Sequence, residues 1–321
     1  MMEAEGTKYE ERKPRWVKQR EGPRDVETPK QKGKKSQATK KQCVGDTKVV
    51  FNNPGGLGEE QKSLRWGRRM MELADIAIGA ECNQDEAAQQ DFKRAAHWDP
   101  YIKAQVLHAG YQRKGTGMVV LIGERANATE VMQRQVRDTT LQLIVVDLTI
   151  NNVPHRIVGG HAAPSADLRK KREYYERVAS AMRAIRQEDA ANPFAKRRVK
   201  IWGQDRNLTL DDRDQRKPMS RTGKRWAELG EAINEASEAI AEGGDVIDAF
   251  RILQPSREEY THGSRRLDTI EVSEDLYQPE RLPRLLTCEH VDRDKIAVLL
   301  PHARKGWYKW EPEHKAVVIT V

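Results

Sequence analysis

From about residue 47 onward the chain alternates short apolar runs with polar segments: KVVFN, DIAIGA, GMVVLIG, LQLIVVDLTI, HRIVGG, RVKIWG, VIDAFRIL, LDTIEVS, KIAVLLP and KAVVITV. Runs of this length, rich in Val, Ile and Leu, read as β-strands. Several, LIVVDL among them, are apolar on both faces, which places them in a layered structure with both sheet faces covered. Between the runs lie two stretches of helical spacing. Leu168, Tyr175, Val178, Met182 and Ile185 line one stripe, and Trp226, Leu229, Ile233, Ala236 and Ile240 line another; both read as core contacts. The segment GWYKWEP (306–312) reads as a loop. With roughly ten strands, intervening helices and no fixed repeat, the pattern predicts a mixed α/β domain over 47–321.

The first 46 residues differ. Residues 1–48 carry 14 Lys or Arg against 8 Asp or Glu, and KQKGKKSQATKK has almost nothing to bury, so residues 1–46 are expected to be a solvated basic tail. The whole chain has a formal net charge of +8, which favours a polyanionic partner such as nucleic acid. Cys43, Cys82 and Cys288 fit neither a disulfide framework nor a CxxC metal site and suggest a reducing, intracellular compartment, nuclear or cytoplasmic. The polar start is no signal peptide, and no run approaches a membrane span. A monomer away from membranes is expected. There is no GxGxxG after a strand and no P-loop.

Where the apolar runs stop, metal-binding and proton-transferring side chains begin. KVVFN leads to Asn53, DIAIGA to Glu81, HRIVGG to His161, RVKIWGQ to Asp205 and Asn207, and His314 precedes the last run. Each alone is a common way for a strand to end. Together they supply the groups for metal-assisted attack on a phosphoester. In chain order, NNPGGLG (52–58), DIAIGAE (75–81), GHAAPS (160–165), WGQDRN (202–207), SRRLDTIEVS (264–273) and PEHKAVVITV (312–321) resemble the six motifs of the endonuclease/exonuclease/phosphatase superfamily.

The resemblance covers about five-sixths of the chain. It implies a four-layered α/β sandwich, two packed mixed sheets flanked by helices, with its groove at one edge of the sheets. It further implies that Glu81, with Asn53 nearby, holds Mg²⁺ or Mn²⁺, and that Asp205 orients the attacking water while Asn207 binds a phosphate oxygen. Asp268 would fix the ring of His314, and His161 would contact the phosphate or protonate the leaving group. CEH (288–290) also resembles the closing motif and offers His290 in place of His314.

The sequence departs from the family at Asn52, Ala80, Gln204, Arg206, Pro312 and Glu313. Arg206 beside Asp205 raises the prospect of a guanidinium that competes for that carboxylate. The resemblance thus implies a metal-dependent phosphodiesterase acting on DNA, retroelement-derived in one reading. The alternatives are an enzyme for small or lipid phosphates, or a nucleic-acid-binding module that has lost catalysis. The aromatics of GWYKWEP suit either base stacking or packing on the neighbouring sheet.

Overall fold

The computed structural model describes residues 46–321 except 114, 163, 166, 193–196, 210–211, 216–222, 243, 264, 277–284, 303–305 and 313; residues 1–45 of the expected basic tail lie outside the described residues. The domain opens with β1 (Lys48–Asn52), α1 (Glu60–Leu73), β2 (Ile76–Gly79), α2 (Glu86–Trp98), β3 (Ala104–Ala109) and β4 (Met118–Gly123). β5 (Ala128–Gln133), β6 (Leu143–Ile150), β7 (Val153–His161), α3 (Leu168–Ala190), β8 (Val199–Asp205) and α4 (Lys224–Ala241) follow. The chain ends with β9 (Val246–Asp248), α5 (Ala249–Leu253), β10 (Asp268–Ser273), β11 (Thr287–Val291), α6 (Arg293–Ile296), β12 (Val298–His302), β13 (Gly306–Trp310) and β14 (Ala316–Thr320).

Two six-stranded mixed sheets result, ordered β11-β14-β1-β2-β4-β3 and β5-β6-β7-β8-β10-β9. Each holds one parallel pair, β1 with β2 and β7 with β8, bridged by a helix. Alternation along each strand sorts side chains between layers. Val49, Phe51, Ile76 and Ile78 of the first sheet share a core with Ile144, Val146, Ile157 and Ile201 of the second. The residues between them turn outward: Val50 and Ala77 meet Trp66, Met70 and Phe92 of α1 and α2. Val145, Val158 and Trp202 meet the α3 and α4 stripes, with Tyr175, Val178, Met182, Leu229 and Ile233 among them. The order helix, sheet, sheet, helix is the four-layered sandwich.

Paired glycines let the sheets approach. Gly159 and Gly203 are register partners. A Cβ on Gly159 would lie 2.7 Å from Ile144 and Ile78, and one on Gly203 would lie 2.8 Å from Phe51.

Two expectations need correction. VIDAFRIL is not a continuous strand: Asp248 turns its carboxylate onto the Phe250 and Arg251 amides, capping α5 and ending β9 after three residues. GWYKWEP is not a loop, since residues 306–310 form β13 and pair with β12 as a separate hairpin. There the Lys62 ammonium sits 4.4 Å from the Trp310 ring centroid, and Trp310 packs beside the α1 and α2 core. Trp310 therefore follows the packing alternative.

Candidate active site

Strand direction gathers the site. β1 and β2 run parallel, so Asn53 and Glu81 emerge at the same end of the first sheet. β14 runs antiparallel to β1, so His314, just before it, starts from that end. In the second sheet, His161 and Asp205 are partners on parallel strands, and Asp268 opens β10 opposite Asp205. Period-two alternation aims Asp205 the same way as Gly203 and Ile201, toward the first sheet. Gln204 and Arg206 face the other side.

The contacts then cross from sheet to sheet. Asn53 Nδ2 donates to Asp205 Oδ2 at 3.0 Å. His161 Nε2 lies 2.9 Å from Glu81 Oε1 and 3.8 Å from Asp205 Oδ2. His314 Nδ1 is 2.7 Å from Asp268 Oδ2 and 4.0 Å from Asp205 Oδ2. Asn207 donates its backbone N–H to Asp205 Oδ1 at 2.8 Å and its Nδ2 to the Ala162 carbonyl at 2.8 Å. All seven residues implied by the motif order therefore meet at one end of the sandwich. His290 does not: it stacks on Phe250 at 4.3 Å and lies 3.5 Å from Glu259.

Backbone geometry contributes as well. Glu81 (φ 50°) and Asn207 (φ 48°) both adopt the left-handed region, which costs a non-glycine residue energy and marks positions that the surroundings impose. Lys171, buried on α3, donates its ammonium to the Asn207 carbonyl at 2.8 Å and braces that turn. Asn52 accepts from Trp66 Nε1 at 3.1 Å and donates to the His314 carbonyl at 3.3 Å, linking α1 to the His314 segment. The Thr261 hydroxyl accepts from the Asp268 amide at 3.1 Å, and the His262 ring stacks on His314 at 4.5 Å. Sequence reading missed Lys171, Thr261 and His262 and counted Asn52 only as a departure. Lys171 had a signal, because it occupies the apolar stripe between Leu168 and Tyr175.

Arg206 is buried against Glu271, and Gln204 donates to the same carboxylate at 2.6 Å. The guanidinium is thus taken up on the helix-facing side and does not compete for Asp205. The substitution of both neighbours of Asp205 builds a polar link beneath α3, which the Tyr175 hydroxyl joins through Gln204 at 3.4 Å.

The electrostatics follow from burying three carboxylates with two imidazoles. Burial, then the Asp268 charge, push the Asp205 carboxyl above the ordinary aspartate value. For Glu81, burial acts upward, but the hydrogen bond and charge of His161, with Asn53 and His314, hold it below the usual glutamate value. Burial works against a charged His314, yet Asp268, Asp205 and Glu81 raise it to about 9. These carboxylates favour the charged ring at neutral pH.

A hard divalent cation fits these donors. Ligand atoms of Glu81, His161 and Asp205 lie within 4.8 Å of one another, as do those of Asp205, Asp268 and His314. Asp268 Oδ1 is buried without a hydrogen-bond partner among the described residues. The carboxylates of Glu81, Asp205 and Asp268 are the oxygen ligands such an ion takes, and its charge would offset the repulsion between Asp205 and Asp268.

No protein-family profile and no curated protein matches the sequence. Solved structures do match. An AP endonuclease from Archaeoglobus fulgidus aligns with TM-score 0.54 at 14% identity, over 85% of this chain and 98% of that one. The 3′ phosphatase NExo from Neisseria, solved with a product DNA hairpin, gives 0.56 at 14% over 85% and 98%. The endonuclease domain of TRAS1, a telomere-specific non-LTR retrotransposon, gives 0.50 at 14% over 86% and 98%. Identity this low speaks to architecture alone, and on that ground the chain has the endonuclease/exonuclease/phosphatase fold.

Proposed function

We propose that the protein is a metal-dependent phosphodiesterase that cleaves DNA. One observation carries the reading: three contacts, Asn53 with Asp205, Glu81 with His161, and Asp268 with His314, each join opposite sheets at one end of the sandwich. A fold held together by apolar layers has no need of three carboxylates there, since burying them together is costly. The formal charge of +8 supports a polyanionic substrate, whose binding gains from counterion release.

In this reading Glu81, with Asn53 and Asp205 beside it, holds Mg²⁺ or Mn²⁺. The ion supplies Lewis-acid neutralisation of the phosphate charge. Asp205, fixed by the Asn53 amide and the Asn207 N–H, accepts a proton from the attacking water; its raised pKa makes it a stronger base than a solvated aspartate. Asp268 holds His314 through Nδ1, which leaves Nε2 to donate to a phosphate oxygen. The Asn207 amide contributes a further donor. His161 Nε2 carries its hydrogen toward Glu81, because a carboxylate can only accept. With that hydrogen directed at Glu81, His161 positions the carboxylate that would hold the ion.

The test is relaxation of supercoiled plasmid at low salt with Mg²⁺ or Mn²⁺. The folded protein should nick the plasmid, and Glu81→Gln and Asp205→Asn should each slow nicking by about 10²-fold or more. Intact plasmid under both ions, or equal nicking by Glu81→Gln, would overturn the proposal.

A further inference from the structure

A groove of about 850 Å³ lies at the opposite end of the strands from Glu81, between α2, the edge strand β3 and the start of β5. Its place follows from register: it is lined by Ile122 and Gly123, which pair with Ile76 and Ala104, whereas Glu81 lies beyond the other end of β2. Five steps along the chain separate Ile76 from Glu81, roughly 16 Å at about 3.3 Å each. None of the seven residues of the candidate active site lines this groove.

Its chemistry is divided by surface. The floor is apolar, made by Val106, Ile122 and Val131. Along the α2 wall, Gln90, Lys93, Arg94 and His97 recur at helical spacing on one face. Trp98 closes that wall and is 77% exposed, an unusual state for the largest apolar side chain. Lys103 faces them from the β3 side. Two carboxylates are close, Asp91 at 3.9 Å from Arg94 and Glu124 at 3.9 Å from Lys103, both at the limit of ion pairing and on exposed side chains. Three cations against one lining carboxylate, an apolar floor and an exposed indole, which meets the His97 ring edge-on at 4.8 Å, suit a flat, apolar ring attached to an anion.

The geometry points to a second nucleic-acid site: the groove binds a single-stranded segment, with a base against Trp98 and the floor and its phosphates on Lys93, Arg94 and Lys103. Base stacking on an exposed aromatic and phosphate contact with neighbouring cations are the two elements of sequence-tolerant single-strand binding. The bulge in β5 between Thr129 and Met132 breaks that edge's ladder and disfavours a peptide strand there. The site stands on its own residues and does not require hydrolysis at the other end.

The test is binding of fluorescein-labelled octathymidylate to the full chain in EDTA, read by anisotropy and by quenching of tryptophan fluorescence. Trp98→Ala should weaken binding about tenfold and remove part of the quench, while Trp98→Phe should restore most of the affinity. Lys93→Gln/Arg94→Gln should lower the slope of log affinity against log salt by about 1.4. All three side chains lie on the surface or wall, so circular dichroism should match the wild type. Unchanged affinity and salt slope in both variants would overturn the proposal. So would displacement of the oligonucleotide by an acidic peptide at equal charge, which would make the groove a protein-docking surface. The two readings fail separately: Trp98-dependent binding without plasmid nicking leaves the groove standing, and nicking with a neutral Trp98→Ala removes it.

Discussion

Asp205 and His314 are needed in opposite protonation states, and the pH dependence of cleavage should show both. Asp205 must be ionised to accept a proton, and its raised pKa moves the acid limb above that of an ordinary aspartate. His314 must be protonated to donate, and its folded pKa of about 9 stands above the unfolded value of about 6.5. The stabilisation it lends the fold is therefore complete below about pH 6.5 and is lost as pH rises through about 9. A rate profile should fall on that alkaline side, and Asp268→Asn should draw the fall toward neutrality by removing the first charge that raises the ring. A profile whose alkaline limb ignores Asp268→Asn would rule out His314 as the donor. Lys171 allows a second check at this scale. Lys171→Met keeps the length and removes the donor to the Asn207 carbonyl, so kcat should drop about tenfold with KM nearly unchanged if Asn207 acts mainly in the transition state. These residues differ in how visible they were. Asp205, Asn207 and Glu81 announce themselves because apolar runs end at them, whereas the bracing by Lys171, Thr261 and Asn52 depends on contacts made across the fold.

At the scale of elements, the central strands of the two large sheets were legible and most of their edge strands were not. β1, β2, β4, β6, β7, β8, β10 and β14 are covered on both faces and read as nearly continuous apolar runs. β3, β5 and β11 lie at sheet edges, carry alternating exposed residues and escape a search for apolar runs. β9, the remaining edge, was read too long because an Asp that caps a helix looks, in sequence, like any polar residue in a strand. α1 was missed for a related reason, since its buried face includes Ser63 and Gly67 beside Trp66, Met70 and Met71. Sheet approach supplies the prediction here. Gly203→Ala would place a Cβ against Phe51 and Ile78 in a closed core, and overpacking of this kind costs about 1–3 kcal/mol. Urea unfolding should show that loss; an unchanged midpoint would mean that the sheets yield more easily than their spacing suggests.

For the whole molecule, cation binding and stability are linked. An ion bound only by the folded state adds about 2.7 kcal/mol at 100 times its Kd. Mg²⁺ or Mn²⁺ should therefore raise the melting temperature of the wild type and not of Glu81→Gln, and a shift of equal size in both would place the ion elsewhere. Acid should act through His108, which burial, then the nearby Lys93, hold down at about 3. A base with a depressed folded pKa weakens the fold as pH drops from about 6.5 toward 3, by about 1.4 kcal/mol per unit. The order of apolar runs and the polar residues ending them determined, by themselves, a layered α/β domain and the side chains available for phosphate chemistry, because burial periodicity and residue type are local properties. Only the tertiary structure decided that Asn53, Glu81 and His314 face His161, Asp205 and Asp268 across two sheets, and that Arg206 turns away from them. Those outcomes depend on strand direction and register between segments far apart in the chain, such as Asn52 and His314, 262 residues apart, which no window along the chain contains.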